Sequence, residues 1–287
     1  MAKTSFRILS IDGGGLKGVG PAAILNELGD SFIKSCDAFA GTSTGAILAA
    51  AYAHGLKTKE VLDFYMGKPA ERIFQRSWYN KFNLIGAKWD KTEIKAVLKE
   101  VFGDKQLSAL SKPVYLCYSD FGGSGNETMK ARVFDRETKD MTISKAVRIS
   151  AAAPTYFPVV DERFADGGLV GNCPALHAIA GVLREFPHLK LGELEVVSIN
   201  TNGRTKNGCK IKTSWSLASW IEPILNFGME GSVEMVDFMV RQLPLKNYWR
   251  VCPEIKGYPM DDLSKRKEIR DAWLNAWKNT DIPKWVK

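Results

Sequence analysis

Gly41-Thr42-Ser43-Thr44-Gly45 satisfies Gly-x-Ser-x-Gly, the spacing of a sharp strand-to-helix turn that lifts a serine hydroxyl clear of a sheet edge. The flanks suit such a turn, because the apolar run 36–40 reads as a short buried strand and 46–53 as a helix. Gly41 and Gly45 remove side chains that would crowd it. A serine hydroxyl is a weak nucleophile at neutral pH, so the turn implies covalent chemistry only if a base and an oxyanion site accompany it.

A second glycine turn supplies one candidate. Residues 6–11 read as a strand that runs into Asp12-Gly13-Gly14-Gly15-Leu16-Lys17-Gly18, and a helix follows over about 19–28. Gly13-x-Gly15-x-x-Gly18 formally matches the dinucleotide-binding fingerprint. The acid that should bind ribose is missing, however. Asp37 falls at the start of the second strand rather than at its end, where the serine turn stands instead. The other use of the loop is an oxyanion hole. Gly13, Gly14 and Gly15 would offer bare amides at a helix N-terminus, joined by the Thr44 amide just after the serine.

The base is harder to place, since the chain has 3 histidines. His54 lies on the serine's own helix, about 16 Å along its axis, and His188 falls in a polar turn. His177 follows Asp166 and completes the order Ser43, Asp166, His177 of an α/β-hydrolase triad. It belongs inside a helix that starts near Pro174 and would point away from the turn. The alternative is a Ser-Asp dyad, with Asp166 in Asp166-Gly167-Gly168 taking the Ser43 proton directly. A free aspartate, with a pKa of about 3.9, is a weak base, so burial or tight positioning would have to raise it. Asp-Gly-Gly alone also marks ordinary turns.

The remaining pattern is that of an α/β protein. Helical spacing is expected over 58–66, 92–102, 143–153, 175–185, 214–227, 231–243 and from 261 or 262 to 278, with strands over 112–121, 130–135, 195–201 and an edge strand over 247–252. Residues 72–89 read as a loop mixing aromatics with Arg and Lys, and 155–160 as extended. No repeat, low-complexity run or linker breaks the chain, so residues 1–287 are expected to form one domain, its motifs in 6–200 and a helical part in 201–287.

The 287 residues are 45% hydrophobic and 25% charged, ordinary for a globular protein with a sizeable core. Net charge is +8, and the last 24 residues hold seven Lys or Arg against three Asp or Glu. Charge of that kind suits anionic lipid, nucleic acid or an acidic substrate without choosing among them. Five dispersed cysteines without a Cys-x-x-Cys pair argue for reduced thiols and against a zinc ribbon. With no signal core or apolar run of membrane-spanning length, the chain is expected to be cytoplasmic.

Asp12-Gly13-Gly14-Gly15-Leu16-Lys17-Gly18, Gly41-Thr42-Ser43-Thr44-Gly45, residues 150–158 (Ser-Ala-Ala-Ala-Pro-Thr-Tyr-Phe-Pro) and Asp166-Gly167-Gly168 with Asn172 and Pro174, in that order, resemble the patatin-like phospholipases. The resemblance covers about 6–200 and thins over the last 80 or so residues. It implies a three-layer α/β/α sandwich with a mostly parallel sheet, and a lipid acyl hydrolase with Ser43 as nucleophile and Asp166 as base. It also implies an oxyanion hole of Gly13, Gly14, Gly15 and Thr44, supported by Gly41, Gly45, Lys17, Gly167 and Gly168. Lys17 stands where the family more often carries arginine, and a lysine is a point charge rather than a bidentate fork. Ala46 replaces a third glycine found in many members. The implied partner is a membrane lipid. The basic C-terminal helix and the Trp-bearing helix from 214 offer peripheral contact to an anionic membrane, although docking on the domain is the stronger expectation for the C-terminal helix. No metal, cofactor or nucleic acid is expected. The other form the resemblance allows is an effector, silent until a nucleotide signal or a protein partner gates it.

Overall fold

The computed structural model describes residues 5–74, 88–89, 91–123, 127–204 and 216–287, with the backbone alone at 217–218, 221–223 and 225–226. β1 (Phe6–Ile11), β2 (Ala38–Thr42) and β6 (Leu194–Ile199) are near-continuous apolar runs, as strands covered on both faces must be. With β3 (Val114–Asp120), β4 (Lys130–Phe134), β5 (Phe164–Asp166) and β7 (Asn247–Val251) they make one sheet. Its order is β4-β3-β2-β1-β6-β7, with β5 also on β3. The four pairings among β3, β2, β1, β6 and β7 are parallel, and only β4 and β5 run against β3.

Side chains alternate cleanly between two cores. Leu9, Ile11, Phe39, Leu116, Val197 and Ile199 face one side. There they meet α1 (Val19–Ser35), α2 (Thr44–His54), α3 (Thr58–Met66), α5 (Lys91–Phe102), α6 (Ile143–Ser150) and α9 (Arg266–Lys278). Ile8, Ala38, Ala40, Tyr115 and Val196 face the other, under α7 (Ala175–Glu185) and α8 (Leu217–Gln242). Short α4 (Lys68–Ile73) completes the described helices. This is the three-layer sandwich.

β5 matters most for the site. β4 takes one whole edge of β3, pairing with 116–120, so β2 and β5 must share the other. Thr42 lies opposite Cys117, and Asp166 opposite Tyr118. β5 therefore continues the line of β2 from the opposite direction, and the ends of the two strands meet head to head.

Several expectations change. The helices expected over 214–227 and 231–243 are one helix, α8. Gly228 and Gly231 each cost a helix about 1 kcal/mol, which the burial of Val233, Val236 and Val240 offsets. Residues 155–160 form turns rather than a strand, and only Val160 bridges back to Phe164. Trp215 and residues 75–87 of the aromatic-basic stretch lie outside the described residues, whereas Trp89 is buried against Phe74. α9 docks on the domain. Ile269, Trp273 and Trp277 are buried in the same core as β1, and Val286 beyond them is buried too. Deleting 264–287 would strip that core, so such a deletion cannot isolate membrane binding.

Candidate active site

β2 ends at Thr42, and Ser43 takes φ 55° and ψ −122°, a left-handed conformation that strains any residue with a Cβ. Close packing imposes it. A Cβ on Gly41 would stand 2.1 Å from the Gly45 carbonyl oxygen, and one on Gly45 would stand 2.1 Å from that of Ile11. Ser43 holds the N-cap position of α2, yet its hydroxyl makes no capping bond. A serine there normally caps. Here the turn directs its side chain into a cavity instead, and the first amide of α2, that of Thr44, takes no acceptor among the described residues.

Asp166 reaches the same cavity from β5. Its amide donates to the Ala152 carbonyl at 3.0 Å, and the Asp166 carbonyl accepts from the Ser119 hydroxyl at 2.8 Å. In the side chain, Oδ1 accepts from the Gly168 amide at 2.6 Å, while buried Oδ2 has no aligned hydrogen bond among the described residues. Burial pushes this carboxyl up to about 7, against the opposing pull of the Ser43 hydroxyl and the Gly168 amide. One oxygen is thus pinned and the other left for a proton. Two more bonds hold the strand ends together. The Thr42 hydroxyl donates to the Gly171 carbonyl at 2.7 Å, and the Ser43 amide donates to the Ser150 hydroxyl at 3.0 Å.

The glycine loop lies across from them. Gly14 and Gly15 line the cavity, and their amides have no acceptor among the described residues. Gly13 departs from the expectation, because its amide donates to the Asn172 carbonyl at 3.1 Å and is not free for an oxyanion. Lys17 is buried and does not line the cavity; burial lowers its ammonium to about 8, with Glu230 pulling the other way. Gly167 and Gly168 form the turn after Asp166.

The cavity, about 770 Å³ counted out to its open mouth, is walled by apolar side chains, among them Ile47, Phe64, Ile73, Phe74, Ile94 and Phe157. It suits a hydrocarbon chain. No histidine lines it. His177 sits on α7 with its ring against Gly171, and His54 packs edge-on against Phe102 at the far end of α2. A serine, a carboxyl with one unengaged oxygen, and amides at a helix N-terminus are the parts that acyl transfer needs.

Sequence reasoning missed Arg250. From β7 its guanidinium crosses under β6 to Asp12, donating to Oδ1 at 3.0 Å and to the Ser198 hydroxyl at 2.6 Å; a second nitrogen reaches Asp12 Oδ2. Both side chains are buried. Burial alone would lower the guanidinium, but the Asp12 charge beside it holds it well above its ordinary value, so the two form an ion pair. The available signal was a charged residue in the apolar half of a strand, which demands a partner.

The patatin-like phospholipase family model matches residues 9–179, which hold every residue named above at the serine and the Asp166 turn. Patatin-like protein 2 of Arabidopsis thaliana is 28% identical over 286 aligned residues, covering 80% of this chain and 70% of that protein. A cGAMP-activated phospholipase of Pseudomonas aeruginosa is 28% identical over 265, covering 86% and 78%. Among solved structures, VipD of Legionella pneumophila aligns over 96% of this chain and 67% of its own, at 14% identity and a TM-score of 0.45. The chain belongs to the patatin-like phospholipase family of lipid ester hydrolases.

Proposed function

We propose that this chain hydrolyses the carboxylic esters of membrane lipids through a Ser43-Asp166 dyad. Ser43 Oγ attacks the ester carbonyl as Asp166 Oδ2 takes its proton. The tetrahedral oxygen meets the amides of Gly14, Gly15 and Thr44, and the α2 dipole favours its charge. Asp166 then protonates the leaving alcohol, the acyl chain stays in the apolar cavity, and a water that loses its proton to Asp166 releases the fatty acid. The observation that carries this reading is the meeting of β2 and β5, which places an aspartate with one unengaged oxygen beside a strained serine and leaves no histidine at the cavity. The single-domain organisation is part of the proposal, since α9 and α1, the helix that follows the glycine loop, share one core with β1.

The dyad makes a pH prediction. A general base works ionised, and burial raises Asp166 to about 7. kcat/KM is therefore expected to rise about tenfold per unit below pH 7 and to level off above it. A profile already flat between pH 5 and 8 would remove Asp166 as the base.

Lipid contact is proposed for α8 rather than α9. Ile224, Phe227, Met235 and Phe238 are 57%, 78%, 65% and 66% exposed, at helical spacing along one face, while Met229 of the same helix lines the cavity. An apolar helix face beside a cavity mouth fits insertion among lipid headgroups. Phe227→Ser/Phe238→Ser is expected to reduce sedimentation with phosphatidylcholine vesicles at least about fivefold while a soluble p-nitrophenyl ester is still cleaved. Equal sedimentation would rule out this face.

A second reading, in which the dyad is gated, rests on the relatives named for activation by cGAMP. Turnover of the p-nitrophenyl ester and of vesicles, with and without cGAMP, separates the two. Activity in both conditions supports the constitutive enzyme, and activity only with the nucleotide supports gating.

A further inference from the structure

The carboxyl end of α2 borders a second, open cavity, of about 880 Å³ counted out to its mouth. Lys34 and Lys112 on its rim stand just ahead of β2 and β3, at the amino ends of the strands. Ser43 and the glycine loop follow the carboxyl ends of β2 and β1. The two cavities therefore lie at opposite ends of the sheet.

Four lysines, Lys34, Lys57, Lys105 and Lys112, surround this space against one acid, Asp30. Asp30 is already engaged, accepting from the Thr58 amide at 2.8 Å and its hydroxyl at 3.0 Å. Lys112 Nζ donates to the Lys34 and Cys36 carbonyls at 2.8 and 2.6 Å. The ammonium groups of Lys34, Lys57 and Lys105 have no carboxylate partner among the described residues, although exposed lysines this close together repel one another. Tyr52, which lines the cavity, is only 3% exposed, and its buried hydroxyl has no hydrogen-bond partner among the described residues. His54 Nδ1, two residues on, is in the same condition. Buried polar atoms are nearly always satisfied, so two unsatisfied ones beside three lysines that lack a carboxylate partner among the described residues call for an acceptor-rich ligand.

We propose that this cavity binds a soluble anion carrying more than one phosphate group, neutralised by Lys57, Lys105 and Lys34 and accepting a hydrogen bond from Tyr52. The charge and size of the space exceed what a single phosphate needs. A bilayer headgroup is disfavoured, because a membrane met by the Ser43 end of the sheet lies on the far side of the molecule. The site is independent of the dyad.

Calorimetric titration with sodium triphosphate at 0.15 M salt tests the assignment on the full chain. The wild type is expected to bind one equivalent saturably. Lys57→Gln/Lys105→Gln should weaken binding by at least tenfold and Tyr52→Phe by roughly three- to tenfold, as for loss of hydrogen bonds to a charged group. Each variant should keep the wild-type thermal midpoint without ligand. Lys91→Gln/Lys95→Gln, in a different basic cavity beside α5, should bind normally. Three results would overturn the proposal: no saturable binding by the wild type, unchanged binding by the Lys57/Lys105 variant, or an equal loss in the Lys91/Lys95 variant. Phosphatidylglycerol vesicles form a second arm. Undiminished vesicle binding by the Lys57/Lys105 variant supports a soluble ligand, and its loss would reassign the site to lipid headgroups.

Discussion

Ser43→Ala and Asp166→Asn are each expected to lower ester turnover by at least about 10⁴-fold, while His177→Ala stays within a few-fold of wild type. Residues that act as one unit lose most of the rate when either is removed, so the double variant should be no worse than the single ones. His177→Ala is the informative arm. A folded but inactive His177→Ala would replace the dyad by a triad, whatever the other variants do. Asp166→Asn carries a second, independent signature. A carboxyl at about 7 in the fold and about 3.9 when unfolded binds its proton more tightly folded, so it favours the native state in acid and penalises it as pH rises through 7. Asparagine keeps an oxygen for the Gly168 amide and carries no charge. At pH 8 the inactive variant should therefore be more stable than wild type, by roughly 2–4 kcal/mol, with the difference shrinking toward pH 4. Urea denaturation at the two pH values reads it directly. Equal stability at both would mean that the carboxyl is not buried as described.

Arg250→Ala is expected to destabilise the protein by about 3–5 kcal/mol, the usual cost of leaving one member of a buried ion pair uncompensated. For a chain of this size that lowers the thermal midpoint by on the order of 10 °C. Asp12→Asn/Arg250→Met removes both charges and should recover most of the loss, because a buried pair contributes little net stability beyond its own desolvation. If Arg250→Ala melts like wild type, Asp12 is protonated in the fold and the pair is only a hydrogen bond. Activity adds a second readout. Asp12 opens the glycine loop, so any Arg250→Ala protein that still folds should lose kcat more than it raises KM, through misplaced Gly14 and Gly15 amides.

The serine turn was legible in the sequence because its causes are local. Two glycines four residues apart, a strand before and a helix after are enough to specify it, and the structure adds only which carbonyls forbid a Cβ at Gly41 and Gly45. From its own stretch Asp166 is legible only as a turn residue, and its pairing with Ser43 rests on the want of a well-placed histidine and on the resemblance. In the fold that pairing depends on β5, three residues long and too short for a periodicity, lying in line with β2 on the edge of β3. The Gly13 amide was misjudged for a similar reason, since nothing near residue 13 announces that the Asn172 carbonyl will take it. α8 hid its continuity behind two glycines, and its exposed Phe227 and Phe238 look in sequence like any buried pair at helical spacing. α9 is basic and Trp-bearing, which could suit a membrane, but docking on the domain is the stronger expectation from its sequence, and its tryptophans do line the protein's own core.

The moorings of the glycine loop have a consequence for how the molecule comes into being. Gly13 leans on Asn172 and Thr201, Leu16 on the Met260 carbonyl at 2.7 Å, and Asp12 on Arg250, 238 positions away. None of these anchors exists while the first half of the chain is leaving the ribosome. Contacts so distant along the chain are slow to form, because long stretches must be closed into loops first. The serine turn can be built early from neighbouring residues, but the amides that face it stay unset until residues 194–199 and 247–251 have joined the sheet. If Ser43 is the nucleophile proposed above, a nascent chain carries it through most of translation without the amides that would let it react, and the capacity to attack lipid arrives only with the closing of the sheet.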